Sequence, residues 1–134
     1  MSEKITKMEL EIRVRYPEVD QMGYVHHSRY WQYFEMGRIE MLRRQGYSYA
    51  EMERMGIFVV VVKAAIRYHL PAKFDEIIVV KTTIKKIGAA RIDYEYEVRR
   101  KDDNALICTA ETTLASVDSS GQLTALPEFL REMA

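Results

Sequence analysis

The stretch Asp20-Gln-Met-Gly23-Tyr-Val-His-His27-Ser-Arg-Tyr30 holds the residue types that acyl transfer needs. It sets a carboxylate, Asp20, in a segment without regular period, just before a run of helical spacing. The first turn of a helix carries backbone N–H groups without a partner inside the helix, and the helix dipole favours negative charge there. Such amides can hold an oxyanion without special side chains. A carboxylate beside them can attack a carbonyl, or activate a water, while the amides stabilise the developing O⁻. Gly23 lets the chain turn tightly and lets a carbonyl approach the backbone. On spacing alone the case is thin, because an aspartate in a loop more often forms a turn or a cap.

Other side chains compete for a role. His27 can act through its imidazole, or only through its main-chain N–H while the ring packs locally, and both readings stand. Asp20, His26 and His27 raise the question of a metal. Adjacent histidines in an extended segment are expected to point apart, and no third ligand has suitable spacing, so no metal is expected. His69, just before Pro71, reads as a turn residue. Glu35, inside the helical run, is a second carboxylate, and with Arg38 at i, i+3 it is expected to make structural hydrogen bonds or an ion pair. Cys108 has no basic neighbour in sequence and reads as a packed thiol.

The elements that position these residues follow from periodicity. Residues 8–16 alternate, with Met8, Leu10, Ile12, Val14 and Tyr16 opposite Glu9, Glu11, Arg13 and Arg15, which is a half-buried strand ended by Pro17. Residues 17–27 are read as a loop. From Ser28 to about Gln45 the large apolar residues recur at three and four, so the spacing predicts a helix with Ser28 as N-cap and Gly46 just past its end. Gly37 in its middle suggests close packing against another backbone. Ser48-x-x-Glu51 is a capping box for a second short helix closing near Gly56. Four strands follow at 57–68, 76–87, 91–101 and 105–117, then a short tail from Gly121. The valine-rich run at 57–68 reads as a strand covered on both faces. One long helix beside five strands indicates α+β, an antiparallel sheet folded around that helix. One helix cannot cover both faces of five long strands, so the apolar strand at 57–66 is expected to pair with its copy in a second subunit.

Composition bounds the function. The 134 residues suit one domain spanning 1–134, and 20 Lys and Arg balance 20 Asp and Glu, so no net field draws nucleic acid or an anionic membrane. One cysteine allows no intramolecular disulfide, no apolar run approaches a membrane span, and the N-terminal stretch lacks the apolar core of a signal peptide. A cytoplasmic protein is expected.

The segment from Arg13 to Leu42 resembles the signature of the 4-hydroxybenzoyl-CoA thioesterase family, in particular its YbgC-like acyl-CoA thioesterase branch. A strand ending in an aromatic is followed by Asp20, Gly23, Val25, His27 and Tyr30, then by Phe34, Glu35, Arg38, Glu40 and Leu42 on a helix. Tyr68-His-Leu-Pro71-Ala-Lys-Phe-Asp75 resembles the family's later turn, while His26 stands where the family more often has an aromatic. The resemblance implies a hotdog fold and dimers whose sheets join edge to edge, often paired into tetramers, with active sites between subunits. It implies hydrolysis of an acyl-CoA thioester, with no cofactor beyond the coenzyme A of the substrate. It gives Asp20 the role of catalytic carboxylate, as nucleophile or general base, and the His27 amide that of oxyanion donor. Gly23, Tyr24 and Tyr30 are expected to touch substrate. Lys63, Lys85, Lys86 and Arg91 are candidates for the coenzyme phosphates, with Lys63 and Arg91 preferred. A non-catalytic acyl-CoA-binding module and a 3-hydroxyacyl thioester dehydratase are the alternatives on the same fold.

Overall fold

A computed structural model describes residues 4–133 of the chain. Met1–Glu3 and Ala134, which the readings of the N-terminus and of the 1–134 span include, lie outside the described residues. Strand β1 (Lys7–Arg13) leads through a 3-10 turn (Tyr16–Glu18) and a loop to the long helix α1 (Arg29–Arg44). Helix α2 (Tyr49–Arg54) follows, then β2 (Phe58–Tyr68), β3 (Ile77–Ile87), β4 (Arg91–Arg100), β5 (Leu106–Val117) and a short α3 (Glu128–Arg131). The strands form one antiparallel sheet in the order β1-β3-β4-β5-β2.

Helix α1 packs across the inner face of β1 and β3. Tyr33 and Phe34 are wholly buried, and Phe34 stacks on Tyr96 of β4 with ring centroids 4.4 Å apart. Replacing a buried aromatic of this kind by Ala typically costs about 3–5 kcal/mol, so this face of α1 is a main source of cohesion. Gly46, at φ +94°, ends α1 as expected. Ser48 caps α2, its Oγ accepting from the Glu51 N–H at 3.2 Å.

Three expectations need correction. The strand at 57–68 is not covered on both faces. As β2 it is the outer strand, paired only with β5, and Val60, Val61 and Val62 are 42%, 52% and 50% exposed. The segment after Gly121 is more than a tail. It buries Leu126 and Leu130, and Phe129 stacks on Tyr47 at 3.5 Å, closing the core where α1 ends. Gly37 meets side chains of β3 rather than a backbone, and a Cβ there would overlap the hydroxyl of Thr82.

Thr82 is 1% exposed and β-branched, so it has little room to yield. Gly37→Ala gains roughly 1 kcal/mol of helix propensity but overpacks the core at roughly 1–3 kcal/mol, and the net change is a loss. Denaturant unfolding is expected to show Gly37→Ala destabilised and Gly37→Ala/Thr82→Ala recovering most of that loss. Additive effects in the double variant would contradict this packing account.

Candidate active site

Main-chain bonds fold residues 18–26 into a small hairpin. Val19 pairs with Val25, the His26 N–H donates to the Glu18 carbonyl at 2.9 Å, and the Asp20 N–H donates to the Tyr24 carbonyl at 2.8 Å. Gly23 sits at φ +79°, a left-handed conformation that side chains disfavour, and its N–H returns to the Asp20 carbonyl. The hairpin docks on the segment after β2. Tyr24 bridges to Lys73, the Val25 N–H donates to Ala72, and the Phe74 N–H donates to Gly23. The Lys73 ammonium lies 5.9 Å from the centre of the Tyr24 ring.

Asp20 projects from this hairpin with its side chain exposed. Its Oδ1 accepts from the N–H groups of Met22 (2.9 Å) and Tyr24 (3.1 Å). It is therefore a turn former, as loop aspartates usually are. Among the described residues nothing donates to its other oxygen, so half of the carboxylate is open.

The turn into α1 departs from expectation in two ways. Ser28 already has helical backbone angles, and its Oγ lies 2.8 Å from His26 Nδ1 instead of capping the helix. The rings of His26 and His27 do not point apart. The chain leaves the extended conformation here, the Arg29 N–H closing a turn on the His26 carbonyl, and this brings the rings to 4.3 Å. The His27 carbonyl accepts from the Tyr68 hydroxyl at 3.0 Å. Among the described residues no acceptor meets the His27 N–H. Tyr30, just inside the helix, is buried with its ring edge-on to Tyr33 and Tyr68, and burial pushes its hydroxyl up to about 12.

Two of the residues that organise this region are not conspicuous in the sequence. Glu18 is 4% exposed and fully engaged. Its Oε1 accepts from the Arg15 N–H (2.7 Å) and the Tyr33 hydroxyl (3.0 Å), and its Oε2 from the Arg15 guanidinium. The Pro17 just before it is the only local sign of a turn there. Tyr68 is the other, and only its place before the Pro71 turn hinted at its neighbourhood.

The remaining candidates lie elsewhere. Glu35 is exposed, and its expected partner Arg38 turns inward instead, donating to the Tyr96 hydroxyl, which lies 2.7 Å from Thr112 Oγ1. Burial of the helix face draws Arg38 to those hydroxyls. Cys108 is buried, and burial pushes its thiol up to about 12, as a packed thiol should behave. The His69 N–H donates to Ile107 in the turn leaving β2. Lys63, Lys86 and Arg91 line one groove with Asp93, while Lys85 pairs with Glu95 at 2.8 Å. That groove belongs to the Ala115 end of β5, and Tyr68 pairs with Cys108 at the other end. Arg91 pairs with Ala115 and Lys63 with Thr113, so they lie seven and five residues of strand, roughly 24 and 17 Å, from the row that holds Tyr68.

The comparisons with known proteins agree with this architecture. Residues 14–133 match the family model described as the thioesterase-like superfamily. The chain belongs to the thioesterase-like superfamily. The acyl-CoA thioesterase YbgC of Haemophilus influenzae is 32% identical over 108 residues, 80% of this chain and 78% of that protein. The DHNA-CoA thioesterase structure from Staphylococcus aureus is 29% identical and superposes with a TM-score of 0.87, covering 94% of this chain and 85% of that one. A 1,4-dihydroxy-2-naphthoyl-CoA thioesterase structure from Synechocystis, at 20% identity, shows the shared fold with a TM-score of 0.88 over 95% and 94% of the two chains. The fold of this thioesterase is therefore the hotdog fold, five antiparallel strands about a long helix.

Glu18 gives the site a pH-dependent brace. Burial works to raise its carboxyl, but the Arg15 amide and guanidinium and the Tyr33 hydroxyl outweigh it and hold it below the usual 4.5. A group lowered on folding adds stability that is complete above its unfolded value and disappears as the pH falls toward its folded one. Stability is thus expected to drop on acidification below about 4.5. Glu18→Gln should cost roughly 1.5–3 kcal/mol at neutral pH and flatten that drop. Chemical denaturation at pH 7 and pH 4 checks both.

Proposed function

We propose that this thioesterase hydrolyses acyl-CoA thioesters, with Asp20 as the catalytic carboxylate and the His27 N–H as an oxyanion donor. The observation that carries the reading is two open groups within one short segment: a carboxylate held in the hairpin turn with an oxygen that, among the described residues, meets no donor, and the main-chain N–H of His27, just before α1, that meets no acceptor among them. A thioester carbonyl polarised by that N–H would take charge onto its oxygen in the tetrahedral state, where a positioned donor is worth about 3–4 kcal/mol. The Asp20 carboxylate then either adds to the carbonyl carbon, expelling the coenzyme thiolate to leave a mixed anhydride that water hydrolyses to the acid and the free carboxylate, or removes a proton from a water that attacks the carbonyl carbon, the tetrahedral state collapsing to the acid and the thiolate. Gly23 and Tyr24 shape the hairpin rim, and Tyr30 forms the inner wall with Tyr68. The acyl-CoA thioesterase YbgC, aligned over most of both chains, supports the substrate class.

The active unit is a dimer joined through β2, assembling further into a tetramer as the family resemblance implies. Two arguments support it. An apolar outer strand with unpaired backbone groups is a template for its own copy. An antiparallel pairing about a two-fold axis runs the Tyr68 end of one β2 beside the Phe58 end of the other. The second copy's Lys63 and Arg91 groove is thereby turned toward Asp20, where coenzyme phosphates would lie. A lone buried cysteine suits a reducing cytoplasm.

Asparagine keeps an oxygen at Oδ1 for the two turn amides but lacks the charge. Asp20→Asn is therefore expected to lower kcat/KM on acyl-CoA about 10²–10⁴-fold, the range of an acid–base group, with melting temperature nearly unchanged. Asp20→Ala should lose the turn as well and melt earlier. Retained turnover in Asp20→Asn, followed by thiol release, would remove Asp20 from the chemistry. Light scattering on the eluting peak should report a dimer or larger, and a stable, active monomer would refute the interface.

A further inference from the structure

His27 is held from both sides by one hydrogen bond on each flanking peptide. The peptide that carries its N–H has its carbonyl, that of His26, fixed by the Arg29 N–H at 2.9 Å. The next peptide has its carbonyl, that of His27, fixed by the Tyr68 hydroxyl at 3.0 Å. Two anchored planes leave the residue between them little freedom in φ or ψ, so they determine where the N–H points. Were His27 helical, its carbonyl would accept from the Trp31 N–H four residues on. Among the described residues no such bond forms, α1 begins only at Arg29, and the amide at 27 stays outside the helix ladder.

We infer that Tyr68 is a positioning residue for the reaction: its hydroxyl draws the His27 carbonyl away from the helix and so aims the adjacent N–H at the substrate carbonyl. This inference rests on the proposed oxyanion role of His27. Tyr68 is the last residue of β2, pairs with Cys108, and has its ring edge-on to buried Tyr30 at 5.6 Å, so the hydroxyl stands on a fixed support. It is also at the end of the strand through which the dimer is proposed to form. The oxyanion donor is thereby tied to the strand that a second copy would order.

Tyr68→Phe keeps the ring against Tyr30 and removes only the donor. With an acyl-CoA substrate it is expected to lower kcat about 10–50-fold while KM changes by less than two-fold, because the lost contact matters when charge reaches the carbonyl oxygen. The second readout is the infrared stretch of a ¹³C-labelled ketone analogue, in which CH₂ replaces the thioester sulfur. Its carbonyl band should shift to lower frequency in the parent protein and return toward the solution value in Tyr68→Phe. Tyr68→4-aminophenylalanine restores a donor and should recover both kcat and the band shift. If Tyr68→Phe does not assemble like the parent, Tyr68→4-methoxyphenylalanine provides the donor-free comparison. An unchanged kcat and band in either donor-free variant would overturn the role of Tyr68. The role proposed for Asp20 would survive that result as long as Asp20→Asn keeps its loss of kcat/KM, whereas full turnover in Asp20→Asn would remove Asp20 from the chemistry whatever Tyr68 does.

Discussion

A buried carboxylate holds three parts of the molecule at one point. Glu18 closes the turn after β1 through the Arg15 amide and guanidinium, takes the Tyr33 hydroxyl from α1, and offers its own carbonyl to the His26 N–H of the site hairpin. A carboxylate removed from water is costly unless its lone pairs are satisfied. Here the satisfying groups come from the turn after β1 and from the helix, so the charge is stable only when those two are in register. The hairpin bearing Asp20 and the first turn of α1 are thereby set relative to each other before any substrate arrives. Preorganisation of this kind matters for oxyanion chemistry, because a donor that must move at the moment of reaction loses most of its effect.

The same economy explains why the site lies at an edge. Helix α1 covers β1 and β3, and the aromatic stack of Phe34 on Tyr96 extends that cover to β4. Among the described residues β2 is covered only in part, Val59 and Ile66 touching the core while Val60, Val61 and Val62 stay exposed, although its sequence is as apolar as a core strand. A run such as Val60-Val61-Val62 exposed at a sheet edge invites aggregation unless it has a specific partner. The strand also carries Tyr68, which reaches the start of α1. In the proposed dimer one strand would serve both as a joint between subunits and as a support for the site, which would give the enzyme reason to work only when assembled.

Much of the fold was legible because it is local. The period of two in β1 and β4, the three-four spacing of α1, the glycine after it and the Ser48 cap are all set by residues within a few positions of one another. The candidate site was legible in part, through Asp20, Gly23 and His27 in a single stretch. What was hidden depends on contacts between distant positions. The Tyr68 hydroxyl reaches across 41 residues to His27, and Arg38 across 58 to Tyr96. Helical spacing suggested an ion pair of Arg38 with Glu35, but that rule describes exposed faces, and Arg38 lies on the buried one. The exposed β2 misled for the opposite reason. Its composition anticipates more cover than the described residues provide.

Asp20 looked ambiguous between turn former and catalyst, and the geometry shows that these are not exclusive. A carboxylate has two oxygens, and this one gives Oδ1 to the Met22 and Tyr24 amides while Oδ2 stays open. The turn holds the side chain in one orientation, which a free aspartate on an exposed loop would lack and would have to acquire, at an entropic cost, on each turnover. Proximity effects depend on such fixing. The turn-forming role that made Asp20 look ordinary in the sequence is thus the physical means by which it can be a nucleophile or base at a defined place. An asparagine would satisfy the turn equally well, so the turn accounts for an oxygen at this position but not for its charge, which the proposed chemistry would use.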